Sequence, residues 1–347
     1  MRIAIITDAW HPQINGVVRT LSRTIDWLRK NGHEVLVVEP SAFRTFPLPS
    51  YPEIRICLFP GRKVANLLDE FAPEAIHVST EGPLGLAARK YAVERELPFT
   101  TAYHTRFPEY VRERVPVPLS LSYTWVRWFH NAAERVMVST ESLRKELADH
   151  GLKNLFIMSR GVDTDLFQPR KHRNMLAGNH PVFLYLGRVA VEKNIEAFLS
   201  LELPGSKHVI GDGPALAALK RKYPGVRFHG YKTGKDLANH LASADVMVFP
   251  SRTDTFGLVI LEALACGVPV AAYPVQGPVD IIENGRSGYT SEDLREAALK
   301  ALDVDPQSCL ERALQFSWDR VGQQFFDNLA PIRKRESEVA FQSSTSD

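Results

Sequence analysis

Residues Phe249 to Val270, FPSRTDTFGLVILEALACGVPV, decide how the rest of the chain is read. Ala244–Phe249 is a short apolar run rich in β-formers, and predicts a buried parallel strand. Pro250 ends it, and Ser251 to Thr255 reads as a polar loop. A helix is expected from about Phe256 or Gly257 to just before Gly267, a suitable residue for the C′ position. Val268–Ala272 is the next strand, with Pro269 near its start. Strand, loop, helix and strand in this order make one unit of a doubly wound parallel sheet.

The expected helix is apolar on nearly every side, so it is buried, and Glu262 interrupts it with a carboxylate. A buried ionised carboxylate costs several kcal/mol unless it is paired and hydrogen-bonded. Glu262 therefore either pairs with a basic side chain or accepts hydrogen bonds from a ligand's hydroxyls. Asp254, eight positions earlier, stands just before the helix, whose first N–H groups and positive dipole end suit a phosphate. An N-capping Thr or Asp together with a structural Glu–Arg pair accounts for the same residues without a ligand.

The whole chain of 347 residues allows two domains. It is 44% hydrophobic and 24% charged, the balance of a globular protein. A formal net charge of +2 supports no argument for nucleic acid as a partner. Cys57, Cys266 and Cys309 are odd in number and far apart, which excludes a paired-cysteine metal site and fits a reducing compartment. The N-terminus lacks the apolar run of a signal peptide, and no stretch reaches the length of a membrane span. The expectation is a cytoplasmic protein whose membrane contact, if any, is peripheral.

Taken in order, residues 3–7 form a first strand, and the loop from Asp8 to Gly16 leads into a helix with Val17, Leu21, Ile25 and Leu28 on one face. Residues 34–38, 75–79, 99–103, 135–139 and 155–159 are further strands, with helices over 83–95 and 141–150. A second series begins after a polar linker over 168–181, with strands at 182–186, 208–210 and 226–229 and helices over 195–201 and 235–242. The expected organisation is an N-terminal doubly wound domain over 1–167, a second over 168–316, a closing helical segment over 317–333 returning to the first domain, and a mobile tail over 334–347.

Two segments differ in character. Residues 41–63 interleave Phe43, Phe46, Leu48 and Phe59 with Arg44, Arg55, Arg62 and Lys63, and are expected to be largely loop around a strand at 54–58. That mixture suits an anionic lipid surface, although aromatics of such a loop also serve simply to cover a core. Residues 116–131 carry Trp125, Arg127 and Trp128 and are expected to be a helix near an acceptor or membrane. Tyr103, His104 and Arg106 follow a strand's carboxyl end, where open α/β sheets bind ligands.

Together these residues resemble the family-4 glycosyltransferases, retaining enzymes of the two-domain GT-B fold, over residues 1–330. Asp254 and Glu262 look like the family's paired-acid signature, with Asp where Glu is usual. Gly187 and Arg188 with Lys193 look like its phosphate-binding basic pair, Asn15 and Gly16 like its N-terminal glycine motif, and Gly161–Asp163 like its hinge. The resemblance implies a nucleotide-sugar donor held by Asn15, Gly16, Gly187, Arg188, Lys193, Gly211, Asp254, Thr255, Phe256, Gly257, Leu258 and Glu262. It implies catalytic roles for His104, Arg188, Lys193, Asp254 and Glu262. It also implies an acceptor or membrane side formed by Asp8, Tyr103, Arg106, Arg44, Arg62, Lys63, Trp125 and Trp128.

Arg188, Lys193 and the N–H groups at 256–258 are then expected to stabilise the departing diphosphate, Glu262 to accept from ribose hydroxyls, and Asp254 and His104 to hold the donor sugar. No metal or other cofactor is expected: Asp163-Thr164-Asp165 and Asp303-Val304-Asp305 read as hinge and loop. Among family members the chain looks closest to enzymes that glycosylate lipids, the sulfoquinovosyl-, glucuronosyl- or glucosyl-diacylglycerol synthases and the mannosyl-glycolipid synthases. That favours a UDP-sugar donor, with GDP-mannose as the other choice. A glycosyltransferase with a soluble or polysaccharide acceptor, a nucleotide-sugar epimerase of the same fold, a dinucleotide oxidoreductase and a catalytically silent binding module are the competing readings.

Overall fold

The computed structural model describes residues 1–13, 16–48, 51–104, 108, 118–170, 175–254 and 256–332. Expectations that fall on Asn15, Arg106, Thr255 or the tail over 334–347 lie outside the described residues. The chain forms two compact units. One is Met1–Ser139 with Arg144–Met158 and Gly322–Asp347; the other is Thr140–Leu143 with Ser159–Val321.

The first unit is built on a parallel sheet in the order β2-β1-β5-β6-β7-β8. Its strands are β1 (Arg2–Ile6), β2 (Glu34–Val38), β5 (Ala75–Val78), β6 (Thr100–Ala102), β7 (Arg135–Val138) and β8 (Leu155–Ile157). β1 pairs on both sides, Ile3 standing opposite Val35 and Ala75, and its apolar residues are buried on both faces, as a central parallel strand requires. Helix α1 (Gly16–Lys30) buries Val18, Leu21, Ile25 and Leu28. The buried stripe therefore starts at Val18 rather than at Val17, which packs at its margin.

Residues 41–63 are not the loop that their composition predicts. They contain an antiparallel hairpin, β3 (Thr45–Leu48) and β4 (Tyr51–Cys57), and the start of helix α2 (Gly61–Phe71). Arg62 and Lys63 lie in that helix's first turn, where cations oppose the helix dipole and disguise a helix start. What holds α2 is its apolar face, with Val64 and Leu68 fully buried and Phe71 packed beside them.

Helix α3 (Pro83–Glu94) and helix α4 (Leu119–His130) follow β5 and β6. The helix over Trp318–Asp327 begins in the second unit and ends in the first. Phe325 and Leu329 enter the first unit's core beside Ile3 and Ile5, and Pro331 bridges to Ala75.

The second unit repeats the scheme with the order β11-β10-β9-β12-β13-β14. Its strands are β9 (Val182–Leu186), β10 (Ser206–Ile210), β11 (Arg227–Phe228), β12 (Val246–Phe249), β13 (Val270–Ala272) and β14 (Gly288–Thr290). Every residue of β9 and β12 is buried. The helix of the deciding stretch spans Leu258–Ala265 and is buried from Ile260 to Ala265. Asp305 caps the helix Pro306–Leu314 by accepting from the N–H groups of Gln307 and Ser308, and Asp163 accepts from the N–H of Leu166 in a turn. Both Asp-x-Asp patterns thus supply backbone caps.

Candidate functional site

In an open parallel sheet, ligands bind beyond the carboxyl ends of the strands where the strand order reverses. In the second unit that point lies between β9 and β12. The loops leaving these strands, 187–194 and 250–257, carry Arg188, Lys193 and Asp254.

Lys193 Nζ donates to Asp254 Oδ1 at 2.5 Å, joining the two loops. Two neighbouring bonds fix the same junction: Asn194 Nδ2 donates to the Pro250 carbonyl at 3.1 Å, and the Thr253 hydroxyl to the Glu192 carbonyl at 3.3 Å. The Tyr185 hydroxyl holds the Arg188 carbonyl at 2.7 Å, so the backbone at Arg188 is anchored while its guanidinium remains 60% exposed, 3.8 Å from Glu192. Burial, with the carboxylates of Asp254 and Glu192 nearby, pushes the Tyr185 phenol well above its usual range. It stays a neutral donor.

Close backbone packing explains two glycines. Gly211 has φ +140°, and a Cβ there would meet the Gly187 carbonyl oxygen at 1.8 Å. The loop after β10 thus lies directly against the loop after β9, which only a glycine permits. Gly257, with φ +87°, turns the chain into the buried helix, and Phe256 is buried beside it. Leu258 opens that helix, and Glu262, one turn on, is 3% exposed. Arg252 lies flat on the Tyr273 ring at 3.6 Å and pairs with Glu292 at 2.9 Å, which ties the outer part of the Asp254 loop to β13.

The arrangement combines an exposed guanidinium, a paired ammonium, two carboxylates and a partly exposed helix start. Such a set can hold an anion on its basic side and hydroxyl groups on its acidic side. Among the described residues, no group of three or more His, Cys, Asp or Glu is placed to hold a metal ion.

In the first unit the strand order reverses between β1 and β5. Asp8, expected on an acceptor side, faces inward here. Its carboxylate accepts from the N–H groups of Leu84 and Gly85 at 2.9 and 3.2 Å and from the Thr80 hydroxyl at 2.8 Å, capping α3. Burial, opposed by these bonds, raises its pKa. Asp8 therefore orders the switch-point loops rather than offering itself to a ligand. Tyr103 is likewise corrected: its ring is 1% exposed and stands edge-on to His130 at 5.9 Å. His104, next in the chain, is partly exposed at the end of β6.

One residue at this switch point escaped the sequence reading. Glu81, two residues before α3, accepts from buried His130, which in turn bonds Thr101. The only sequence signal was an acidic residue in a strand-to-helix loop, and its partners lie 49 and 29 residues apart in successive steps.

The basic and aromatic residues of the first unit fall in two places. Arg44, Arg55, Arg62 and Lys63 are exposed, as are Phe46, Leu58 and Phe59 of the same segment, the last 96% exposed. Lys63 also bonds the Ala42 carbonyl and lies over the Phe43 ring. On α4, Trp128 is exposed with Arg89 stacked on it at 3.9 Å, while Trp125 packs against Phe129.

The chain matches two family models. "Glycosyltransferase Family 4" covers residues 14–166, and "Glycosyl transferases group 1" covers residues 180–304. It is 31% identical over 313 residues to a GDP-mannose-dependent alpha-mannosyltransferase of Corynebacterium glutamicum, spanning 83% of this chain and 76% of that one. It is 26% identical over 369 residues to the alpha-monoglucosyldiacylglycerol synthase of Streptococcus pneumoniae, spanning 93% and 84%. Among solved structures, Anabaena HepE in complex with UDP superposes with a TM-score of 0.71 at 17% identity, over 94% of this chain and 99% of that one. The fold of the chain is of the GT-B type.

Proposed function

The chain belongs to the family-4 glycosyltransferases, and from that premise we propose that it moves a hexosyl or hexuronosyl group from a nucleoside diphosphate sugar to a lipid such as diacylglycerol. Transfer proceeds with retention at the anomeric carbon, without a metal, at the cytoplasmic membrane surface.

The observation that carries the reading is the Lys193–Asp254 contact with Arg188 beside it at the second unit's switch point. As the bond from the anomeric carbon to the diphosphate breaks, negative charge grows on the leaving group and positive charge on the sugar ring. In this reading Arg188 and Lys193 stabilise the first, and Asp254 the second. The N–H groups at the start of the Leu258–Ala265 helix add dipole stabilisation, and Glu262 accepts from the ribose. His104 holds a donor-sugar hydroxyl. The competing epimerase and oxidoreductase readings have no support in the family to which the chain belongs.

The lipid acceptor rests on the diacylglycerol product named for the Streptococcus relative and on the exposed Phe59 together with the exposed cations of the same segment. No helix among the described residues is long and apolar enough to cross a membrane. The donor base is open between a UDP-sugar, favoured by the sequence, and the GDP-mannose named for the Corynebacterium relative.

The test is incubation with UDP-glucose, UDP-glucuronate, UDP-galactose or GDP-mannose and vesicles containing dioleoylglycerol. Lipid products are resolved by mass and their anomeric configuration by NMR. One donor should yield a hexosyl-diacylglycerol in the configuration of that donor. An inverted product overturns the retaining mechanism, and transfer only to soluble acceptors overturns the lipid reading.

A further inference from the structure

Thr101, His130 and Glu81 form a chain of hydrogen bonds from the core of the first unit to its switch-point edge. The His130 Nδ1 lies 2.8 Å from the Thr101 hydroxyl, and its Nε2 lies 3.1 Å from Glu81 Oε1. Thr101 and the His130 ring are fully buried, whereas the Glu81 side chain keeps 15% exposure. Glu81 Oε1 is the oxygen that His130 holds, and Oε2 has no protein partner among the described residues.

The order of the groups decides what the relay can do. A hydroxyl–imidazole–carboxylate chain activates a nucleophile only when the hydroxyl is the accessible end. Here the hydroxyl is sealed in β6 and the carboxylate is at the open end. The buried part fixes the carboxylate's orientation, since Thr101 donating to Nδ1 leaves Nε2–H to donate to Oε1. Oε2, on a side chain that keeps 15% exposure, is then an aimed hydrogen-bond acceptor.

Its position matches that use. Glu81 leaves the carboxyl end of β5, between the loop of Asp8 after β1 and His104 after β6, at the point where the strand order reverses. Asp8 is already occupied by the N–H groups that it caps. That leaves Glu81, among the described residues, as a carboxylate with an unbonded oxygen there.

We propose that Glu81 is an acceptor-binding residue that takes a hydrogen bond from the glycerol hydroxyl of the acceptor, and that His130 and Thr101 are positioning residues for it. The proposal rests on the transfer reading above but not on the acceptor being a lipid, because glycerol offers the free hydroxyl of a diacylglycerol without its acyl chains.

The test compares wild type with Glu81→Gln, Glu81→Asp, Thr101→Val and Thr101→Ser. Three quantities are measured: nucleoside diphosphate binding, donor hydrolysis by water, and the kinetics of transfer to dioleoylglycerol and to glycerol. Glu81→Gln should raise the acceptor KM at least tenfold while nucleotide binding and donor hydrolysis change less than twofold. Thr101→Val should raise the same KM three- to tenfold with kcat retained, and Thr101→Ser should restore it. An unchanged acceptor KM in Glu81→Gln overturns the proposal. So does an equal loss of nucleotide binding, which would mark a structural role. If Glu81→Gln fails to fold, the Thr101 pair decides by the same KM criterion. Use of glycerol but not dioleoylglycerol by wild type removes the lipid reading and leaves this one in force; use of neither overturns this one.

Discussion

Lys193 Nζ and Asp254 Oδ1 meet at 2.5 Å although 61 residues separate them, and their side chains are 28% and 23% exposed. The ammonium expected to wait for a diphosphate is thus held by the carboxylate expected to hold the sugar. An arriving donor has to share it, which makes the pair the point where donor binding and charge balance are linked.

Separating the two roles is therefore informative. Lys193→Ala should lower kcat/KM by about 10²–10³ and weaken nucleoside diphosphate binding, the scale of losing one charged contact to a developing anion. Asp254→Asn should also lower kcat/KM by about 10², yet bind the nucleoside diphosphate at least as tightly as wild type, because the ammonium is released. Calorimetric titration with UDP and GDP measures this. Weaker binding in Asp254→Asn would show that the carboxylate holds the nucleotide rather than balancing the lysine.

Activity should survive EDTA. The leaving-group charge is assigned to Arg188 and Lys193, and a metal has no role left in that scheme. Loss of turnover on chelation, restored by Mn²⁺ or Mg²⁺, would transfer that role to an ion.

Acid should destabilise the fold through its buried imidazoles. Burial lowers the pKa of His77 to about 3, and burial with the neighbouring His229 and Arg227 lowers that of His208 to about 4. Both are neutral in the folded state below the ordinary histidine value, where the unfolded chain takes up protons. Stability is therefore fully present above about pH 6.5 and declines as pH falls toward the folded values, by about 1.4 kcal/mol per pH unit for each such histidine. Urea titrations at pH 7.5, 6 and 5 should show this, and His77→Leu should flatten the slope.

Gly211→Ala should cost at least about 3 kcal/mol, since its Cβ would stand 1.8 Å from the Gly187 carbonyl oxygen. Urea midpoints and nucleotide affinity should fall together. A stable variant with normal affinity would mean that the two loops separate easily.

The protein should sediment with vesicles of anionic lipid and less with neutral ones. Arg44→Glu, Arg62→Glu and Lys63→Glu together should abolish the difference, each cation near such a surface contributing about 1 kcal/mol that salt screens. Phe59→Ser should weaken binding to both kinds, and a triple variant that still sediments would move the contact elsewhere.

The strands of both sheets other than β14 were legible because short apolar runs such as Val182–Leu186 and Val246–Phe249, bounded by turn residues, read as buried strands, whereas Gly288–Thr290 carries no such run. Helix α2 was hidden because Arg62 and Lys63 stand where a helix start prefers acids. Lys193 and Asp254 were singled out individually as expected donor residues, but their pairing was not, because a contact between them exists only once β9 and β12 are neighbours. Asp8 was misjudged for the same reason. A carboxylate after a strand looks available until the helix that it caps, 76 residues on, arrives beside it.

The last feature is the return of the chain to its beginning. Phe325 and Leu329 complete the core around Ile3 and Ile5, and Pro331 bridges to Ala75. During vectorial synthesis the first unit emerges from the ribosome with that part of its core open, and the gap persists until the whole second unit has been made. The first half of the molecule is thus the last to be sealed, and for that interval it depends on whatever shields apolar surface on nascent chains.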